Sequence, residues 1–221
     1  AALLYARQVE TLIDPMISIE LIPGTSLNLS GVQALLMTSA NGVRAYCANN
    51  SERQIPLFAV GDATAREAVG YGFENISTAG GDVSHLAELV QSQLSRDGGA
   101  LLHVAGTITA GDLGNDLIRA GFEYRREALY NAVAAKTLRN QTIAALINNE
   151  LQGVLLYSPR TADIFCHCAS MDPGADMFNN VTAYCLSTAV ADKAKVIKWG
   201  SVVIASKPTQ LELLCVVEDG F

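Results

Sequence analysis

Leu35-Leu36-Met37-Thr38-Ser39-Ala40-Asn41-Gly42-Val43-Arg44-Ala45-Tyr46-Cys47 has a counterpart further on in Val154-Leu155-Leu156-Tyr157-Ser158-Pro159-Arg160-Thr161-Ala162-Asp163-Ile164-Phe165-Cys166. Each stretch opens on a short apolar run, turns at a serine and continues with helical spacing to a cysteine. An apolar run without alternation suits a strand covered on both faces, as in a parallel sheet flanked by helices. The likeness reaches the next strands. Phe58-Ala59-Val60-Gly61-Asp62-Ala63-Thr64-Ala65 matches Tyr184-Cys185-Leu186-Ser187-Thr188-Ala189-Val190-Ala191, and His103-Val104-Ala105-Gly106 with its turn matches Ile204-Ala205-Ser206-Lys207-Pro208. The expected fold is α/β, with two similar parallel-sheet lobes.

Outward from these repeats, strands are predicted at 35–37, 57–60, 101–104, 154–157, 183–186 and 202–205. Helices are predicted at 42–47, 63–70, 85–96, 111–120, 137–149, 161–167, 188–198 and 209–214. Met16–Ile22 and, more loosely, Phe122–Tyr130 alternate apolar and polar residues and suit a two-stranded connector. If they pair, lobe one is discontinuous. The domains are then 1–14 with 132–221, and 25–121, joined by a β-ladder of 15–24 and 122–131.

Half of the 221 residues are hydrophobic and 17% are charged, enough apolar surface to oppose the entropy of ordering the chain. A formal charge of −7 argues against a broad nucleic-acid footprint, so any anion must be held locally. The five cysteines form no CxxC pair, and with three histidines they give no zinc spacing. No metal is expected. Free thiols suit a reducing compartment, and a cytoplasmic location is expected. Apolar runs such as 202–205 and 211–217 fall far short of the ~20 residues that span a bilayer, so no membrane partner is expected. The chain starts at Ala1 without Met or a signal-peptide pattern, and is expected to have been trimmed.

In an open parallel α/β sheet, ligands sit beyond the carboxyl ends of the strands, where helix N-termini offer free N–H groups and partial positive charge. The turns that could do this are Ser39-Ala40-Asn41, Gly61-Asp62-Ala63-Thr64, Gly106-Thr107-Ile108-Thr109, Ser158-Pro159-Arg160-Thr161, Ser187-Thr188-Ala189 and Ser206-Lys207-Pro208-Thr209. Small residues admit a ligand to the backbone and hydroxyls add donors, so an acidic protein could still hold a polyanion. Serine and threonine cap helices routinely, so one turn alone carries little weight. Arg44, Arg66 and Arg160 lie in or just after the turns. Cys166-His167-Cys168 would splay its side chains on a helix and reads as core packing. No nucleotide loop or Ser/His/Asp order is present, Asp62 reads as a cap, and Tyr130 ends a connector strand with a phenol that could face a cleft.

Thr38-Ser39-Ala40-Asn41-Gly42-Val43, Ala59-Val60-Gly61-Asp62-Ala63-Thr64-Ala65, Leu129-Tyr130, Tyr157-Ser158-Pro159 and Ser206-Lys207-Pro208-Thr209 together resemble the uroporphyrinogen-III synthase family, in order and over nearly the whole chain. The resemblance implies a cofactor-free hydro-lyase of tetrapyrrole (haem) biosynthesis, with two α/β domains, a connecting two-stranded β-ladder and an active site in the interdomain cleft. It implies cyclisation of hydroxymethylbilane to uroporphyrinogen III, with loss of water and inversion of ring D through a spiro intermediate. Tyr130 matches the family's connector tyrosine and is the catalytic candidate, as a hydrogen-bond donor near the departing hydroxyl. The substrate-binding candidates are Ser39, Ala40, Asn41, Gly61, Thr64, Gly106, Thr107, Ser158, Pro159, Arg160, Ser187, Thr188 and Lys207.

The chain departs from the family in two places. Ala1–Gln8 already reads as the first helix, so the family's opening strand and Arg-containing turn are expected to be missing. Ser187 and Val190 replace the usual Gly and Thr, which removes a hydroxyl contact. A monomer that closes around its ligand is expected. The competing reading is a non-catalytic two-lobed small-molecule binding protein or a degenerate regulatory homologue.

Overall fold

Each apolar run predicted as a strand forms one, and the small-residue turns open helices except at 106–109, where the next helix starts only at Leu113. The computed structural model describes residues 2–24, 26–109 and 111–218. Ala1, where the first expected helix begins, and residues 25 and 219–221, at expected domain bounds, lie outside them, as does Ala110. The chain begins with α1 (Ala2–Tyr5) and β1 (Ile17–Leu21). It continues through β2 (Val32–Met37), α2 (Ala40–Asn49), β3 (Leu57–Ala59), α3 (Asp62–Gly70), β4 (Ile76–Thr78), α4 (Val83–Gln93), β5 (Ala100–Gly106), α5 (Leu113–Arg119) and β6 (Tyr124–Ala134). There follow α6 (Asn140–Ile147), β7 (Gly153–Leu156), α7 (Pro159–Met171), a 3-10 turn at Ala175–Phe178, β8 (Thr182–Cys185), α8 (Thr188–Ala194), β9 (Ser201–Ile204) and α9 (Gln210–Glu218). By contacts it divides into Ala1–Ser18 with Ala134–Phe221, and Ile19–Val133.

In the unit Ile19–Val133 the sheet order is β1-β6-β5-β2-β3-β4, and β2 to β6 are mutually parallel. Successive residues face opposite sides of a strand. Leu35 and Met37 of β2 therefore join one core with Val43, Tyr46 and Ala68 of α2 and α3, whereas Ala34 and Leu36 join another with Leu86, Val90, Leu113 and Leu117 of α4 and α5. Helix α2 lies close on the sheet because position 42 is glycine, where a Cβ would stand 2.9 Å from the Val104 carbonyl oxygen.

The other unit carries a parallel sheet ordered β7-β8-β9. Leu156, Ala183 and Cys185 pack with α6, α7 and α8 around Phe165, Phe178 and Trp199, while Tyr184 and Ala205 pack with Leu4, Leu213 and Val217. The Trp199 indole N–H reaches the Ala194 carbonyl at 2.8 Å. Cys166 and Cys168 are buried on α7 and His167 is exposed. Among the described residues no helix is long and apolar enough to cross a membrane.

Some expectations need correcting. The opening helix stops at Tyr5, short of Gln8, which stands in the left-handed region at φ 61°. Met16–Ile22 does form a two-stranded connector with β6, but it meets only the end of Phe122–Tyr130 and lies mainly along the residues that follow. The backbone bonds flanking β1 run from Ala135 N–H to Met16 and from Ile22 N–H to Leu129, an antiparallel step onto the later half of β6. The first half of β6 instead pairs parallel with β5, from Leu101↔Tyr124 to Gly106↔Tyr130. Alternation reports which face is buried, not which strand lies alongside.

The third strands of the repeat are not equivalent either. β5 adjoins β2, whereas β9 adjoins β8, the place that β4 holds beside β3. The counterpart β4 escaped prediction because Ile76-Ser77-Thr78 is three residues long and mostly polar.

Candidate active site

Strand register sets the turns in rows. Met37 pairs with Ala59 and with Val104, so Ser39, Gly61 and Gly106, each two places further on, share one level at the carboxyl edge. In the other unit Cys185 pairs with Leu156 and Ile204, which gives Ser158, Ser187 and Ser206 a common level.

The repeat extends to backbone geometry. Ser39 (φ −159°, ψ 145°) and Ser158 (φ −145°, ψ 151°) both cap their helices, accepting the Asn41 and Thr161 N–H groups at 3.1 Å each. Gly61 (φ −161°, ψ 171°) and Ser187 (φ −157°, ψ 168°) make no side-chain cap. Their carbonyls accept the amides of Thr64 and Ala65, and of Val190 and Ala191. Among the described residues, the amides of Ala40, Asp62, Ala63, Thr188 and Ala189 are left without a backbone partner. Such N–H groups carry the positive end of the helix dipole and suit carboxylates.

Not every candidate is available to a ligand. Ser39 is engaged in its cap, and the Asn41 side-chain oxygen accepts Arg44 Nη1 at 3.0 Å. Arg44 itself forks onto Glu67 with two contacts of 2.8 Å, which raises its pKa further. Thr64 is 4% exposed, and its counterpart Val190 1%, so the Thr-to-Val difference exchanges one buried side chain for another. At α7, Pro159 offers no amide, Ser158 and Thr161 form a reciprocal capping box, and Arg160 is exposed. Lys207 is exposed and, among the described residues, has no ion pair, while Ser206 bonds the Glu212 carboxylate.

Gly106 and Thr107 serve Tyr130. A Cβ at Gly106 would meet the Tyr130 ring at 2.8 Å, so the missing side chain lets the ring lie on the strand. The Thr107 amide donates to the Tyr130 carbonyl at 3.0 Å and is unavailable, although its side chain is exposed. The Tyr130 ring is buried with Leu129 in the α2–α3 core. Its hydroxyl has no hydrogen-bond partner among the described residues, yet no buried side-chain oxygen there lacks one, so this hydroxyl reaches solvent.

Sequence reasoning missed the groups behind this edge. Arg126 Nη2 donates to the Gly106 and Thr107 carbonyls at 2.5 and 3.0 Å and pins the turn. His103, 2% exposed, links Thr38 Oγ1 at 3.1 Å to the Tyr124 hydroxyl at 2.6 Å. Burial, and secondarily the Arg126 charge, pushes its pKa down to about 4. The available signal was a histidine inside a buried strand run, which must find polar partners.

A model of the family described as uroporphyrinogen-III synthase HemD matches residues 1–215. The chain belongs to the uroporphyrinogen-III synthase family. It is therefore an enzyme of tetrapyrrole synthesis, acting in haem biosynthesis. The crystal structure of uroporphyrinogen-III synthetase from Helicobacter pylori is similar at TM-score 0.66 and 19% identity, over 96% of this chain and 92% of that one. A mutant uroporphyrinogen III synthase from Thermus thermophilus gives TM-score 0.52 and 16% identity, over 99% and 92% of the two chains. These likenesses bear on the fold, whose parallel α/β sheets they share. A comparison with curated proteins returned no match.

Proposed function

We propose that the chain is a cytoplasmic, monomeric hydro-lyase that cyclises hydroxymethylbilane to uroporphyrinogen III. The observation that supports this best is the pair of strand-end rows, where helix-opening amides lack backbone partners among the described residues, in a protein of formal charge −7. A linear tetrapyrrole with eight carboxylates needs many local anion contacts rather than one basic patch. Backbone amides at Ala40, Asp62, Ala63, Thr188 and Ala189, with the Lys207 ammonium, supply contacts of that kind.

Loss of the ring A hydroxyl as water, attack by the substituted carbon of ring D, and fragmentation and reclosure of the spiro intermediate balance without net oxidation or reduction. The pyrroles supply the electrons. The protein must hold ring D against ring A, a task of orientation and entropy. Tyr130 stands where the strand meets the Gly106 turn, and its solvent-reaching hydroxyl donates a hydrogen bond to the departing oxygen.

The test is turnover of hydroxymethylbilane, with the ratio of type III to type I product measured. Type III in excess is expected. Type I dominant, as in spontaneous closure, overturns the enzymatic reading in favour of a binding protein.

A further inference from the structure

Thr38 sits at the end of β2, one place before the Ser39 cap. Strand β2 leads into α2, which packs on one face of the sheet, and the adjacent β5 leads into α5, which packs on the other. Neighbouring strands whose helices part to opposite faces mark the point where an open α/β sheet binds its ligand. The Thr38–His103 hydrogen bond spans that point.

The proton positions follow from the partners. Burial raises the Tyr124 pKa above its ordinary value, so the phenol keeps its proton. It has no other hydrogen-bond partner among the described residues, and a phenol donates better than it accepts; it therefore donates to His103 Nδ1 at 2.6 Å. The imidazole is neutral near pH 7, so its single proton is on Nε2 and is donated to Thr38 Oγ1 at 3.1 Å. The Thr38 hydroxyl thus accepts from behind and keeps its own proton. Thr38 is half-buried and makes no other hydrogen bond among the described residues.

We infer that Thr38 is a further substrate-binding donor beside the Ser39 turn, and that His103, held by Tyr124, is the positioning residue that aims its hydroxyl at a substrate carboxylate. This rests on the enzymatic reading above. A donor aimed in advance loses less entropy on binding a carboxylate than a free threonine rotor does.

The experiment is steady-state turnover of hydroxymethylbilane by Thr38→Val, Thr38→Ser, Tyr124→Phe and Thr38→Val/Tyr124→Phe, with selective 15N NMR of His103. Thr38→Val should raise KM about tenfold, the scale of one hydrogen bond to a charged group. Thr38→Ser keeps KM within about twofold by the same reasoning. Tyr124→Phe should raise KM with kcat unchanged, and add nothing in the double variant. The spectra should show the proton on Nε2 from neutral pH upward.

An unchanged KM in Thr38→Val overturns the proposal, as does a proton on Nδ1 or an additive double variant. Wild-type protein that makes no type III product defeats the enzymatic reading instead. The NMR arm still decides the tautomer in that case.

Discussion

Tyr130 shows how a residue's role depends on the atoms opposite it. Its ring lies on Gly106, where any Cβ would intrude to 2.8 Å, and its hydroxyl reaches solvent at the end of β5. Gly106→Ala should therefore move the ring and lower the unfolding free energy by about 1–3 kcal/mol, as overpacking does, measured by urea denaturation. Tyr130→Phe keeps the packing and removes only the donor. It should lower kcat by roughly tenfold or more while KM changes little, on the scale of general acid assistance; unchanged kcat in steady-state assays removes the hydroxyl from the mechanism. The sequence pattern places Tyr130 at the end of a connector strand, but β6 runs on to Ala134 and Tyr130 lies within it, paired with Gly106 of β5. That Gly106 leaves room for the tyrosine ring was not legible, because a glycine at a strand end reads alike whatever lies against it.

Among elements, the helix starts divide into two kinds that their sequences do not separate. Ser158 and Ser187 both precede helices at the ends of parallel strands, yet only Ser158 caps through its side chain. Ser158→Ala should cost about 1 kcal/mol of stability, and Ser187→Ala close to none, a contrast that denaturant midpoints resolve. Under the proposed function Ser187→Ala still raises KM, since its hydroxyl is left for the ligand. Strand existence was read well because uninterrupted apolar runs have few alternatives in a two-sided sheet. Strand neighbours were read less well. Ile76-Ser77-Thr78 carries too little apolar signal to announce β4, so β9 was matched with β5 instead of with the strand that shares its place.

For the whole molecule, the buried His103 ties stability to pH. Its pKa is about 4 in the folded state against 6.5 as the ordinary value, so the unfolded chain binds the proton more tightly. Stability is then full above about pH 6.5 and falls as pH drops toward 4, by up to roughly 3 kcal/mol. His103→Gln should flatten that part of the profile, seen as a smaller loss of thermal midpoint between pH 7 and 4 than in the wild type. From its sequence alone the chain declared an α/β fold with a repeated strand–serine–helix unit, since local hydrophobic runs and turn chemistry decide these over a few residues. Which strand lies beside which, which turn amides stay unpaired, and that Thr38, His103 and Tyr124 form one hydrogen-bonded row were decided only in the tertiary structure. Such contacts join residues as far apart as Thr38 and Tyr124, and no local pattern records where distant strands come to lie side by side.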